Sequence, residues 1–216
     1  MVKGLMSDVE RFPRRAARAR ETRRRVCRAA IDLFVERGYG ATSIASIADV
    51  ADVAEQTVYA AFGNKRAILL DALDLAIAGD DRTIAINDRD WMRDVWEAPD
   101  PATRLHAYAQ AVQRLHDGAA RMFRVLDQAS ASDPDLVDAF AEAMHRRRIG
   151  VTGVVGPIGE AGQLAPGVST ETAIDIVWAL NGHEVYLNLV DRCGWTTDAY
   201  GDWLGHTLES LLLPNH

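Results

Sequence analysis

The stretch "ADVADVAEQTVYAAFGNK", Ala48 to Lys65, decides how this chain folds. Read as one helix at about 100° per residue, residues 44–61 place Ile44, Ile47, Ala48, Ala51, Ala54 and Val58 on one face. Val50 then lies about 120° from the start of that face, and Val53 falls on the far side, open to water. A turn at Asp52 removes the conflict. Val53 swings back toward the core, and the stretch becomes two short helices. Such a turn asks for a positive φ, which glycine adopts best and Asp or Asn tolerate better than most residues. The spacing is that of a helix-turn-helix. Small Ala48 lets two helices approach closely, Asp52 turns the chain four residues on, and Val58 anchors the second helix six residues later. A generic helical hairpin can carry the same spacing, so the neighbouring sequence has to choose between them.

Upstream, apolar residues fall at Val26, Ala30, Leu33 and Phe34, one face of a helix starting near Thr22 and ending at "RGYG". Thr42 or Ser43 offers a side-chain oxygen to cap the next helix, and Asn64 caps "KRAILLDALDLAIA". Residues 1–17 are polar, basic and interrupted by Pro13, and read as disordered. Downstream, helices are expected over 90–97, 101–117, 119–131, 135–160, 170–192 and 197–212, with breaks at Asp133-Pro134, Pro166-Gly167 and Gly194. No stretch alternates as a strand would. The expected fold class is all-α.

Composition is that of a soluble globular protein, with 48% hydrophobic and 25% charged residues. The longest strongly apolar runs are five residues, at 58–62 and 176–180, whereas a membrane span needs about 20. The basic N-terminus has no apolar segment after it, so no secretory signal is expected. Cys27 and Cys193 form no CxxC or zinc pattern and read as free thiols of a cytoplasmic protein. The net charge of −7 by itself argues against a nucleic-acid partner. Its distribution argues the other way. Residues 1–70 carry 13 Lys and Arg against 8 Asp and Glu, while residues 71–216 carry 11 against 23. "RFPRRAARARETRRRVCR" holds nine arginines between Arg11 and Arg28, opposed only by Glu21. A basic front and an acidic back suggest two parts with different partners. The alternative for the arginine run is a solvated tail or helix face.

In this setting residues 20–80 resemble the TetR family of bacterial transcriptional regulators. The resemblance rests on "AAIDLFVERGYGATSIASIADVADVAEQTVYAAFGNKRAILLDAL": a first helix ending in Phe34 and "RGY", "ATS" opening the second, "IA" and the turn, "TVYAAF" as the third, and "NK" opening the fourth. The family pattern usually has Gly where this chain has Asp52 and often Ser where it has Ala54. Behind a basic disordered arm at 1–19, the resemblance implies a DNA-binding domain at 20–80 with its helix-turn-helix at 43–62, and an effector-binding and dimerisation domain at 81–216. It implies a homodimer that binds a double-stranded operator and is released as a repressor by a small-molecule effector, with no membrane partner. It also assigns Lys65 to DNA phosphate.

With Val58 turned inward, Gln56 points about 160° away and Ala60 about 200°, flanked by Thr57 and Tyr59 at about 100° on either side. A Gln can pair with adenine in the major groove, and a methyl can meet a thymine methyl. The hydroxyls of Thr57 and Tyr59 suit phosphate; Tyr59 packed on the first helix is the other reading. Lys65 opens a helix whose N-terminus favours an anion. Thr42 reads either as a phosphate contact or as a plain cap. This surface carries little charge, so the arginines at 11–28 are the expected source of affinity.

The acidic remainder has no equally sharp motif. By resemblance, its last two helices build a dimer bundle through Leu180, Leu187, Trp203, Leu204, Thr207, Leu208 and Leu211; an ordinary monomer core is the alternative. Candidate walls of an effector pocket are Trp91, Trp96, His106, Tyr108, Met122, Phe123, Trp178 and Asn181. Each is also an ordinary core residue. Glycines recur every third residue from Gly150 to Gly162 around Pro157, which reads as a kinked or broken helix and a gate beside a pocket. No enzyme is expected. Glu142 and His145 have ferritin-like spacing but no second pair, and "HEVYL" at 183–187 has Leu187 where a zinc site needs His. No cofactor or metal is implied. The competing function class is a helical interaction or ligand-binding module with a degenerate DNA-binding domain, kept open by Asp52 and Glu55.

Overall fold

The computed structural model describes residues 6–79 and 86–214. The first five residues of the expected arm, and the expected boundary at 80–81, lie outside them. The described residues are helical, with no strand among them. Two compact units follow one another, Met1–Ala76 and Ile77–His216.

The first unit holds α1 (Met6–Arg37), α2 (Ile44–Ala51), α3 (Glu55–Phe62) and most of α4 (Lys65–Ala78). The expected disordered arm is corrected: from Met6 onward the backbone is already part of α1. Arg, Ala and Glu dominate that stretch and are strong helix formers. Val26, Ala30, Leu33, Phe34, Ile47, Ala48, Ala51 and Val58 are buried together with Ile68 and Leu69 of α4.

The chain does turn at Asp52. This residue is left-handed at φ 52°, ψ 55°, and its N–H reaches back to the carbonyls of Ala48 and Asp49. The Val53 N–H bonds the Ala48 carbonyl at 3.0 Å. Val53 is half-buried, not exposed as an unbroken helix would leave it. Asp52 is the one non-glycine residue with positive φ among the described residues. Asp52→Gly is expected to stabilise the unit by about 1 kcal/mol, and Asp52→Val to destabilise it, as urea unfolding would show.

In the second unit, α5 (Asp90–Trp96), α6 (Pro101–Ser130), α7 (Val137–Glu160), α8 (Thr170–Leu180), α9 (His183–Leu187) and α10 (Thr197–Leu212) form a bundle. The 30-residue α6 packs against α5, α7, α9 and α10, and α7 packs against α8. Three expectations are corrected. Residues 101–130 form one helix, not two. An internal Gly118 costs only about 1 kcal/mol, less than burying Ala119, Ala120, Met122 and Phe123 beyond it returns. The glycine run does not break the helix: α7 continues through Pro157, held by buried Val151, Val154, Val155 and Ile158. The expected helix 170–192 instead breaks at Asn181 and Gly182. There the Asn181 carbonyl accepts from His116 Nε2 at 2.8 Å instead of continuing the helical ladder. After α9, residues Asn188–Arg192 widen into a π turn.

Candidate functional site

The helix-turn-helix is assembled by side chains of α1. Arg25 Nη2 donates to the carbonyl of Ala51 and, at 2.8 Å, to that of Asp52, so one guanidinium closes the C-terminus of α2 over the left-handed turn. Arg23 donates to the Ala61 carbonyl at 2.7 Å, pairs with Asp71 and lies 4.3 Å over the Phe62 ring. These two arginines are structural, which corrects the reading of the whole 11–28 run as a DNA-facing surface. The signal was present in the helix geometry: Arg23 and Arg25 stand about 60° and 100° to either side of buried Val26, while Arg28 stands about 160° away. Arg18, Arg20 and Arg28 are exposed with no partner among the described residues. They supply free positive charge on α1.

At the entry to α2, Ser43 is the cap. Its Oγ accepts from the Ser46 N–H at 3.0 Å, and Ser46 Oγ accepts from the Ser43 N–H at 3.2 Å, a reciprocal capping box. Thr42 is neither a cap nor a surface contact. It is 1% exposed, and its hydroxyl donates to the Gly38 carbonyl at 2.8 Å and faces the Leu33 carbonyl at 3.3 Å. Lys65 is half-buried. Its ammonium donates to the carbonyls of Tyr39 and Thr42 at 2.8 and 2.9 Å and sits 4.3 Å over the Tyr39 ring. It therefore braces the loop between α1 and α2 before it meets any phosphate.

Along α3, Val58 and Phe62 point inward, while Gln56, Thr57, Tyr59 and Ala60 are all exposed. Tyr59 is 48% exposed, so its ring is not packed away on α1. The four side chains share a ridge bounded by Glu55 at the first turn and by Gly63, at φ 77°, at the last.

In the second unit the candidates divide. Tyr108, Trp178 and Asn181 come together. The Tyr108 hydroxyl donates to Asn181 Oδ1 at 2.6 Å, and Asn181 Nδ2 donates to the carbonyls of Val177 and Trp178 at 3.1 and 3.0 Å. Phe123 stacks on His183 at 5.8 Å between centroids. Met122 is an ordinary core residue, and Trp91 packs against the apolar core. Trp96 is exposed on α5. His106 belongs to the α6–α10 contact: its Nε2 meets Glu209 Oε2 at 2.8 Å, and its ring lies where a Cβ on Gly205 would come within 2.6 Å. Residues the sequence reading missed complete the cluster. His116, Arg147, His183, Tyr186 and Tyr200 gather around Tyr108 and Asn181, with the Tyr186 and Tyr200 rings 4.9 Å apart and His116 5.4 Å from Tyr186. A histidine on the apolar face of α6 was the available signal.

The dimer candidates are corrected in part. Leu187, Leu204 and Leu208 are buried within the chain itself. On α10 the inward stripe is Tyr200, Leu204, Leu208 and Leu212, all at 0% exposure and four residues apart. Trp203, Thr207 and Leu211 lie off that stripe, with Leu211 46% exposed; Leu180 of α8 is half-buried.

Burial pushes His116 down to about 4, so it is neutral at pH 7, and burial likewise lowers His183. An unfolded histidine titrates near 6.5. The unfolded chain therefore binds more protons between those values, and stability falls as pH drops through that window. His116 alone contributes about 3 kcal/mol to this acid loss. Urea midpoints measured from pH 7 to pH 4 are expected to fall less steeply for His116→Gln than for the wild type.

Residues 26–72 match the family model described as bacterial regulatory proteins, tetR family. No curated protein matches the chain in sequence. Among solved structures, NalD, the secondary repressor of the MexAB-OprM multidrug efflux pump in Pseudomonas aeruginosa, is similar at 21% identity, 90% of this chain, 98% of that chain and a TM-score of 0.68. A putative transcriptional regulator from Saccharomonospora viridis in complex with choline is similar at 19% identity, 90% and 99% coverage and a TM-score of 0.68. The transcriptional regulator FadR from Bacillus subtilis in complex with stearoyl-CoA is similar at 19% identity, 85% and 96% coverage and a TM-score of 0.68. At these identities the likeness is one of fold.

Proposed function

We propose that this chain, which matches the tetR family model over residues 26–72 and shares the fold of solved TetR-family regulators, is a repressor whose homodimer binds a palindromic operator and is released by a small-molecule effector. It is a regulator and not an enzyme, and no described helix is long and apolar enough to cross a membrane. The reading makes it a cytoplasmic protein of a bacterial cell. The observation that carries it is the exposed ridge of Gln56, Thr57, Tyr59 and Ala60, presented by a helix that follows a left-handed turn held by Arg25. Gln56 reads base edges, Thr57 and Tyr59 meet phosphate, and Arg18, Arg20 and Arg28 add backbone attraction. Two copies of α3 engage half-sites about 34 Å apart, one helical turn.

Trp203, Thr207 and Leu211 of α10 together with Leu180 of α8 are the proposed dimer contacts. Effector binding changes the spacing of the recognition helices by its differential affinity for two states. Helix α4 is the covalent link, because it ends two residues beyond Ala76, in the second unit. Relatives of this fold hold ligands as different as choline and stearoyl-CoA, which supports an effector in the second unit and leaves its chemistry to this chain's own residues.

The test is a binding titration of the purified chain against the duplex upstream of its own coding region and against random duplex, across salt concentrations. Preference for the former, with affinity falling steeply with salt, supports the reading. Equal and salt-insensitive binding to both supports an interaction module instead.

A further inference from the structure

The effector reading leaves one group in the second unit unexplained. In "HRRR", residues 145–148, Arg146 pairs with Glu142 at 3.4 Å and Arg148 with Asp175 at 2.8 Å. Arg147 between them has no hydrogen bond and no carboxylate within ion-pair distance among the described residues. Its Nε and Nη1 are buried and unpartnered. Its guanidinium lies 4.4 Å over the Trp178 ring. The acid acting on it is Glu184, beyond ion-pair distance on the same side of Gly182, with a side chain that is mostly exposed and 3.5 Å from His183. Three further buried polar atoms in the same cluster also lack a partner: the Trp178 indole N–H, the Tyr200 hydroxyl and His116 Nδ1. Because His116 Nε2 donates to the Asn181 carbonyl, its Nδ1 is a lone-pair acceptor. The unpartnered set is therefore one guanidinium, one indole N–H and one phenol, with a single acceptor.

Arg147 is half-buried, yet two of its guanidinium nitrogens are shut off from water without a hydrogen-bond acceptor, which is costly, and burial does lower its pKa. Its charge is felt by Tyr108, Tyr200, His116 and His183. All lie on helices of the second unit, so Arg147 is a focus of that unit's buried polar cluster. We propose that Arg147 is the anion anchor of the effector site and that the effector is an organic monocarboxylate with an aromatic or alkyl body. The inference rests on the effector reading given above. A carboxylate supplies the missing counter-charge and accepts the indole and phenol hydrogens. One guanidinium balances one negative charge. His116 stays neutral and Glu184 stands nearby, so a phosphate dianion would leave a charge unmatched. Tyr108, Trp178, Tyr186 and Tyr200 form an aromatic surround that suits an apolar body.

The test uses the full chain and a panel of aryl- and alkyl-carboxylates, each beside its own primary amide, which keeps the shape and removes the charge. Binding is read by calorimetry without DNA for the wild type, Arg147→Ala and Arg147→Lys. A second arm adds the same compounds to the operator complex. The expected result is that at least one carboxylate binds the wild type and its amide binds on the order of a hundredfold more weakly. Arg147→Ala loses that binding yet still binds the duplex, which shows that it is folded, and Arg147→Lys recovers part of it. Equal binding of acid and amide, undiminished binding to Arg147→Ala, or no carboxylate binding at all overturns the anchor and leaves the regulator reading standing. Carboxylate binding that depends on Arg147 but leaves the operator complex intact supports the anchor and overturns release by this site.

Discussion

Gly159→Ala is expected to lower the stability of the second unit by about 2 kcal/mol, the range of overpacking in a tight contact. A Cβ at this position would lie 2.9 Å from the Thr170 Cβ and 2.8 Å from its Cγ2, and closer still to Oγ1. Rotating the threonine moves Oγ1 and Cγ2 but leaves Cβ in place. Relief therefore requires α8 to move off α7 at its first turn, where Ser169 caps it. The same helix provides the control. A Cβ on Gly150 would meet nothing within 4 Å, so Gly150→Ala is expected to be neutral or to stabilise by roughly 0.5–1 kcal/mol. Urea unfolding of both variants reads the difference. The same sign and size at both positions would contradict the packing derived for α7 and α8.

Arg25→Ala is expected to cost the first unit about 2 kcal/mol, because one guanidinium serves two carbonyls at the end of α2 and charged hydrogen bonds are worth about 1.5–3 kcal/mol. Its side chain is 42% exposed, which holds the value toward the lower end. The turn it holds aims α3, so duplex affinity is expected to fall roughly tenfold as well. Arg28→Ala separates geometry from charge. Arg28 is exposed and unpartnered, so its loss should leave the urea midpoint unchanged and reduce the salt slope by about 0.9. Arg25→Ala should move the midpoint and leave the slope alone. Identical behaviour of the two variants would show that the arginines of α1 do not divide as the contacts divide them.

Much of the first unit was legible because each local signal agreed with the next. The helical period put Val53 on the wrong side of an unbroken helix, and Asp52 was a residue able to turn left-handed. Ser43 and Asn64 stood where caps belong. Thr42 was misjudged, and the bracing role of Lys65 was missed, because both are polar residues whose partners are backbone carbonyls of a loop, which no side-chain pattern records. The arginine run was counted as charge when two of its members work as hydrogen-bond donors to backbone. In the second unit, helix ends were harder to read. Gly118 and Pro157 looked like breaks but are overridden by burial, whereas Asn181 looked continuous and is broken by His116, 65 residues earlier. Arg147 was invisible for a related reason. Its neighbours Arg146 and Arg148 look the same in sequence, and only the fold shows which of the three lacks an acid. On α10 the division between Leu204 and Leu208 inside and Leu211 outside follows from the four-residue stripe begun by Tyr200.

The most direct test of the central claim is selection of bound duplexes from a random-sequence pool by the wild-type chain, repeated with Gln56→Ala. The expected result is an enriched palindrome with half-site centres one helical turn apart, and loss of an adenine preference at one position of each half-site in the variant. No enriched sequence, or an unchanged preference without Gln56, would contradict readout by α3.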